Sequence, residues 1–220
     1  MFSEFKIQLK KALQNPLPGK EVQFKMAPYY SKVKEKFKNR TEKPKTACVL
    51  VLIYPVNNIP HLVLMKRPSH TGHHSDQVSF PGGKHENTDK SLEFTALREA
   101  REELNINPDK VNIVGTLSSL FIAPSNFEVF PFIGISDEKP HFIKNKIEVN
   151  EIIEIDLPYI LSDDVIKEKM MLLPAGFNFN IPYFDIQNEV VWGATAMILY
   201  ELRELIKTSI SIDSKSLPFP

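Results

Sequence analysis

Eight consecutive apolar residues, Ala47 to Tyr54 (ACVLVLIY), limit what this chain can become. Several are β-branched, and the run shows no polar–apolar alternation. A strand of that kind is buried. After an Asn57-Asn58 turn, His61 to Lys66 (HLVLMK) reads as its hairpin partner. Further strand-like stretches are Gln77–Phe80, Val111–Leu120, Val129–Ile135, Glu148–Ile155 and Val190–Trp192. Helical periodicity marks Phe2–Leu13, Ser91–Leu104 and Ala194–Ile206, and Asp163–Lys169 reads as a short helix. Pro174–Pro182 reads as loop. Strands on both sides of one acidic helix, with a late apolar helix, predict an α/β fold, an α/β/α layered domain.

The chain divides into three parts. Residues 1–45 form a helix and an exposed lysine-rich connector, 46–207 the main domain, and 208–220 a tail. The connector carries six lysines and one arginine over residues 31–45. These can form a phosphate-binding patch, although a solvated face is the plainer reading. Lys plus Arg and Asp plus Glu each number 27 in the 220 residues, so the formal charge is zero. That balance leaves no basic footprint for long nucleic acid or an anionic membrane. A local site can still take a small anion. Cys48 is the single cysteine and sits in the apolar run, so it reads as a small buried hydrophobe. Without a disulfide, a secretory leader or a stretch of about 18 apolar residues, the expectation is a soluble, cytoplasmic protein.

The segment from Gly82 to Ile106, GGKHENTDKSLEFTALREAREELNI, carries the chemistry. Leu97, Ala100 and Leu104, flanked by Leu92 and Ala96, make one apolar stripe. Glu99, Glu102 and Glu103 fall within about 100° of arc beside it. Like charges at this spacing cost roughly 0.2–0.5 kcal/mol per pair, and they lie towards the helix end where the macrodipole opposes them. A divalent cation resolves the conflict, since Mg²⁺ prefers carboxylate and water oxygens. Arg98, four residues before Glu102, can orient a carboxylate by a bidentate contact. A solvated acidic face neutralised by Arg98 and Arg101 is the bland alternative. Gly82-Gly83 reads as a turn able to approach a phosphate, or as an ordinary tight turn.

This segment resembles the Nudix box, G-x5-E-x7-R-E-U-x-E-E-x-G-U with U apolar. Arg98-Glu99-Ala100-Arg101-Glu102-Glu103 matches its R-E-U-x-E-E part, and Ile106 its last apolar position. Asp89 stands where Glu is usual, with Arg98 one residue later than the pattern requires, and Asn105 replaces the second glycine. Asn is the usual substitute for Gly at a left-handed helix end, and Asp89 can serve as a helix cap. The lead-in LMKRPSHTGHHSDQVSFPGGK, with Arg67, His74, Gln77, Phe80, Pro81, Gly82 and Gly83, is similar to the coenzyme A pyrophosphatase branch, which shares the longer spacing.

The resemblance implies a Nudix-type α/β/α sandwich with a mixed sheet between helices, and Glu99 and Glu103 as metal ligands, with Glu102 nearby or bound through water. It implies Mg²⁺ or Mn²⁺ as the ion and Arg98 as the residue that orients a glutamate. The reaction it implies splits coenzyme A, and its acyl or oxidised forms, into 4′-phosphopantetheine and adenosine 3′,5′-bisphosphate. The base is a box glutamate or a later one; among Glu148, Glu151 and Glu154, Glu148 is preferred because it opens a predicted strand. Substrate contacts are expected from Arg67, His74, Gln77, Gly82, Gly83 and Lys84. His70, His73 and His74 lack the cysteine partner and spacing of a zinc site. Phe127 can stack on adenine or pack, and Trp192 reads as core. The partner is a small nucleotide-containing molecule, and a homodimer is compatible with the sequence. Rival readings are a Nudix hydrolase for a dinucleotide, nucleotide sugar or oxidised nucleoside triphosphate, and an inactive Nudix module that senses nucleotide. Inactive modules usually lose box glutamates, and all three are present here.

Overall fold

The apolar run becomes the spine of the molecule. In the computed structural model, which describes residues 2–68, 77–173 and 176–210, it forms β1 (Lys45–Val56). Asn57 and Asn58, with φ of 50° and 66°, supply the left-handed pair of a two-residue hairpin turn. β2 (Ile59–Lys66) returns antiparallel, pairing Val56 with Ile59 and Ile53 with Leu62. Beyond that register a different segment takes over both strands. β3 (Val78–Ser79) pairs with β2, and β4 (Gly82–Lys84) pairs with the first half of β1. On the other side of β1 lies β7 (Phe127–Ile135), parallel to it from Lys45↔Phe127 to Ile53↔Ile135. β5 (Asn112–Thr116) and β6 (Leu120–Ile122) are antiparallel to β7, and β8 (Glu151–Asp156) to β2. The result is a mixed eight-stranded sheet among the described residues.

Both faces of β1 are covered, as its composition predicts. Cys48, Leu50, Leu52 and Tyr54 face α4 (Leu92–Leu104) and pack with Ala96, Ala100 and Leu104. Val51 and Ile53 point the other way. They join a larger core containing α1 (Phe2–Ala12), α2 (Gly19–Phe24), α3 (Tyr30–Lys36) and α6 (Gly193–Ser209). This is the expected α/β/α sandwich with a mixed sheet. The fully buried Glu201 of α6 docks α2, accepting hydrogen bonds from Gln23 Nε2 (2.7 Å), Gly19 N (3.1 Å) and Ser118 N (3.1 Å).

Several local expectations fail. Residues 31–45 are not simply an exposed connector, because α3 lies there with Val33 buried. Val111–Leu120 divides between β5 and β6. The helix expected over Asp163–Lys169 is absent; α5 (Leu157–Leu161) precedes it, and Ile166–Leu172 is strand β9. Pro174–Pro182 is not simply a loop, since β10 (Asn178–Ile186) begins inside it. β9, β10 and β11 (Glu189–Val191) form a separate antiparallel sheet. β9 reads IKEKMML and buries little of its surface, so its pairing with β10 rather than any burial pattern defines it. Among the described residues no helix is long and apolar enough to cross a membrane.

Candidate active site

α4 is defined at both ends by its own residues. Ser91 Oγ accepts the Phe94 N–H at 3.0 Å, satisfying a donor of the first turn. Asn105 closes the helix with φ 58°, its N–H returning to the Arg101 carbonyl. The apolar stripe faces β1, which turns the last turn and a half of the helix towards β4. The Gly82-Gly83 pair is not a turn but part of that strand, and close packing is why both positions are glycine. A Cβ on Gly83 would lie 2.4 Å from the Glu99 carboxyl carbon. One on Gly82 would lie 2.3 Å from the Cys48 carbonyl oxygen.

Glu103 is the most enclosed of the three box glutamates, its side chain 3% exposed. Its Oε2 accepts the Gly82 N–H at 2.7 Å, and Arg67 Nη2 stands 3.5 Å from Oε1. Burial still pushes its pKa up to about 8 against the pull of Arg67 and the Gly82 N–H, with Glu99 and Glu148 adding repulsion. Burial likewise raises Glu99, opposed by Arg98 and reinforced by the charges of Glu102 and Glu148. Glu102 is half-exposed.

Arg98 holds this face together. Nη1 donates to Glu99 Oε1 (2.9 Å) and Glu102 Oε2 (3.1 Å), and Nη2 donates to the Lys84 carbonyl (3.2 Å). Asp89 grips the same guanidinium through Nε–Oδ1 (2.8 Å) and Nη2–Oδ2 (3.0 Å). Asp89 is therefore not the helix cap, a role taken by Ser91. It also accepts from the Glu86 N–H and Thr95 Oγ1, each at 2.9 Å. Arg98 above all holds the Asp89 carboxyl well below the usual range. Sequence spacing did not disclose this anchor, because the two residues meet through a loop folding back on the helix.

The remaining expected residues divide. Glu148 is exposed in a turn before β8 rather than at the start of a strand, yet its charge is felt by both Glu99 and Glu103. Glu154 is engaged elsewhere, accepting from Tyr54 Oη (2.8 Å) and Lys139 Nζ (2.8 Å). Glu151 pairs across the sheet with Lys66. Arg67, Gln77, Gly82, Gly83 and Lys84 all border a cavity of about 430 Å³. His74, with His70 and His73, lies outside the described residues. Phe127 is the first residue of β7, not a loop residue, and Trp192 is part-buried on the cavity wall rather than in the core. Aromatic residues in the sequence gave no sign that they would converge there.

Among the described residues no three acidic, histidine or cysteine side chains converge on a ready-made metal position. Arg98 and the Gly82 N–H engage the carboxylates instead. The donor set nonetheless suits a hard cation. Its ligands are oxygens, its buried charge is incompletely neutralised, and Mg²⁺ is commonly held by one or two carboxylates with water and substrate phosphate.

The NUDIX domain profile matches residues 44–158, just over half of the chain. This chain belongs to the Nudix family. It is 35% identical over 164 residues to Nudix hydrolase 15, mitochondrial, of Arabidopsis thaliana, an alignment covering 71% of this chain and 57% of that protein. It thus matches little more than half the length of that relative. Nudix hydrolase NudL of Yersinia pestis is 35% identical over 147 residues, covering 67% of this chain and 73% of that one. The solved Nudix hydrolase RenU of M. smegmatis shares the fold, with TM-score 0.50 at 15% identity over 77% of this chain and 89% of that one. In this Nudix protein the box helix is α4, and the sheet residue that meets it is Gly83.

Proposed function

We propose that this Nudix protein hydrolyses the diphosphate bridge of coenzyme A, including acyl and oxidised forms, using Mg²⁺ or Mn²⁺. The products are 4′-phosphopantetheine and adenosine 3′,5′-bisphosphate. The observation that carries the reading is the pair Glu99 and Glu103 on one helix face, under-neutralised and set against β4 at the edge of a ligand-sized cavity. Coenzyme A is favoured over other diphosphates by Arg67, Gln77 and the Phe80-Pro81-Gly82-Gly83 stretch, together with the long Gly83–Arg98 spacing.

Glu99 and Glu103 would hold the ion, with Glu102 acting directly or through water. A bound divalent ion supplies Lewis acidity at the phosphoryl oxygens and activates water. The chain's own residues do the rest. Arg98, fixed by Asp89, keeps Glu99 and Glu102 oriented. Arg67 and Lys84 meet the diphosphate charge, while His74 and Gln77 contact the substrate. Glu148, exposed in the turn before β8, takes the proton from the attacking water as its oxygen bonds to phosphorus. The diphosphate bridge bond breaks, and the leaving phosphate carries away the electron pair.

Purified protein incubated with Mg²⁺ and a panel of coenzyme A, NADH and dinucleoside polyphosphates tests this. The expected outcome is adenosine 3′,5′-bisphosphate from coenzyme A, identified by mass spectrometry. Glu103→Gln is expected to lower turnover by orders of magnitude in a protein that still folds. Turnover of NADH or dinucleoside polyphosphates alone would reject coenzyme A as the substrate.

A further inference from the structure

We infer that the cavity takes the neutral pantetheine arm of the substrate, with Tyr29 and the N-terminus of α6 reading one of its amide carbonyls. This deepens, and rests on, the coenzyme A reading above. Among the described lining residues the only ionisable cations are Arg67 and Lys84, both beside β4, and no acid lines the cavity. The remainder is mostly apolar, walled by residues such as Val33, Phe121, Phe127, Trp192 and Met197, with Tyr29 among its polar side chains. Away from Arg67 and Lys84, a 3′-phosphorylated nucleoside would carry its phosphate into largely apolar space with no cation to meet it among the described residues, at high desolvation cost. A neutral amide-bearing chain would not.

Two adjacent polar features point to what this part of the chamber recognises. Tyr29 is 9% exposed, and its hydroxyl makes no hydrogen bond among the described residues. Burial pushes this phenol up to about 12, so it stays an O–H donor at neutral pH. The Tyr29 Oη atom lies 4.0 Å from where a Cβ on Gly193 would be, at the first residue of the 17-residue α6. No side chain caps that helix, leaving first-turn N–H groups for an acceptor. A phenol O–H and uncapped N–H groups together favour an oxygen with lone pairs, and the apolar surroundings favour a neutral one. An amide carbonyl meets both conditions. The volume of about 430 Å³ falls within the roughly 300–1,000 Å³ usual for small-molecule sites.

Trp192 is the single tryptophan and lines the cavity, so its emission reports occupancy without any need for turnover. Titration with pantetheine is expected to change that emission saturably, whereas adenosine 3′,5′-bisphosphate is expected to leave it unchanged. Y29F keeps the ring and removes one hydrogen bond. It is expected to weaken pantetheine binding roughly tenfold and raise KM for coenzyme A by a similar factor with little change in kcat. A194L, on the cavity wall, is expected to abolish the pantetheine response. An unchanged emission with pantetheine, equal affinity in Y29F, or saturation by the bisphosphate would overturn the inference. Pantetheine binding without coenzyme A hydrolysis would instead sink the proposed reaction and leave the arm site standing.

Discussion

Gly83 and Glu99 are packed so closely that a single methyl group decides where the carboxylate can sit. The clash in G83A is with the far end of a side chain, whereas in G82A it is with the Cys48 and Val49 backbone. G83A is therefore expected to fold with a near-native melting temperature and lose most of its turnover. G82A is expected to be destabilised by several kcal/mol or to accumulate insoluble. Thermal melts and a coenzyme A assay on both variants separate the two effects. Glu103 makes a second prediction, in pH. Folded, its carboxyl keeps a proton up to about 8, against the ordinary 4.5 of a free glutamate. Between those values the native state binds more protons, so the stability of metal-free protein falls as pH rises, by at most about 1.4 kcal/mol per pH unit for one group. E103Q should flatten that slope in urea titrations across pH 5–8, and added Mn²⁺ should stabilise wild type more at pH 8 than at pH 5.

α4 was the most legible element. Its start, left-handed end and core-facing stripe are encoded by neighbours three or four residues apart, and Ser91, Asn105 and the Ala96–Ala100–Leu104 row settle them locally. S91A is expected to cost roughly 1 kcal/mol in a denaturant titration. β9 was not legible, because IKEKMML alternates weakly and finds its state only through pairing with β10. The Asp89–Arg98 clamp lies between these cases: both residues stood out, but their contact depends on how the Glu86–Lys90 loop folds back. D89N tests what the clamp does. The native Asp89 pKa is depressed, so its contribution is present above the unfolded value of about 3.9 and is lost as pH falls through the native one. D89N should be less stable than wild type at pH 7, and the gap should narrow towards pH 3. Its kcat should fall at least tenfold as Glu99 and Glu102 lose their fixed partner.

The α1–α3 segment and the sheet share one core. Phe2, Phe5, Leu9, Met26 and Val33 are buried with residues of β1, β2 and α6. At roughly 1.5–3 kcal/mol for each large apolar side chain, their loss rivals the whole stability of a typical domain. A chain trimmed to residues 44–220 is expected to aggregate or to bind a dye specific for exposed apolar surface, although it retains the whole NUDIX match. The sandwich itself was legible because a strand as apolar as β1 must be covered on both faces. The cavity was not, since its walls come from α3 and the turn before it, β1, β3, β4, β6, β7 and α6 and meet only in three dimensions. The thiol of Cys48, sealed between β1 and α4 and raised to about 11 by burial, has its own chemical consequence. At neutral pH it offers almost no thiolate to solution. The protein can therefore handle sulfhydryl compounds and their mixed dimers without being trapped as an adduct, and its mass should stay unchanged after incubation with oxidised glutathione.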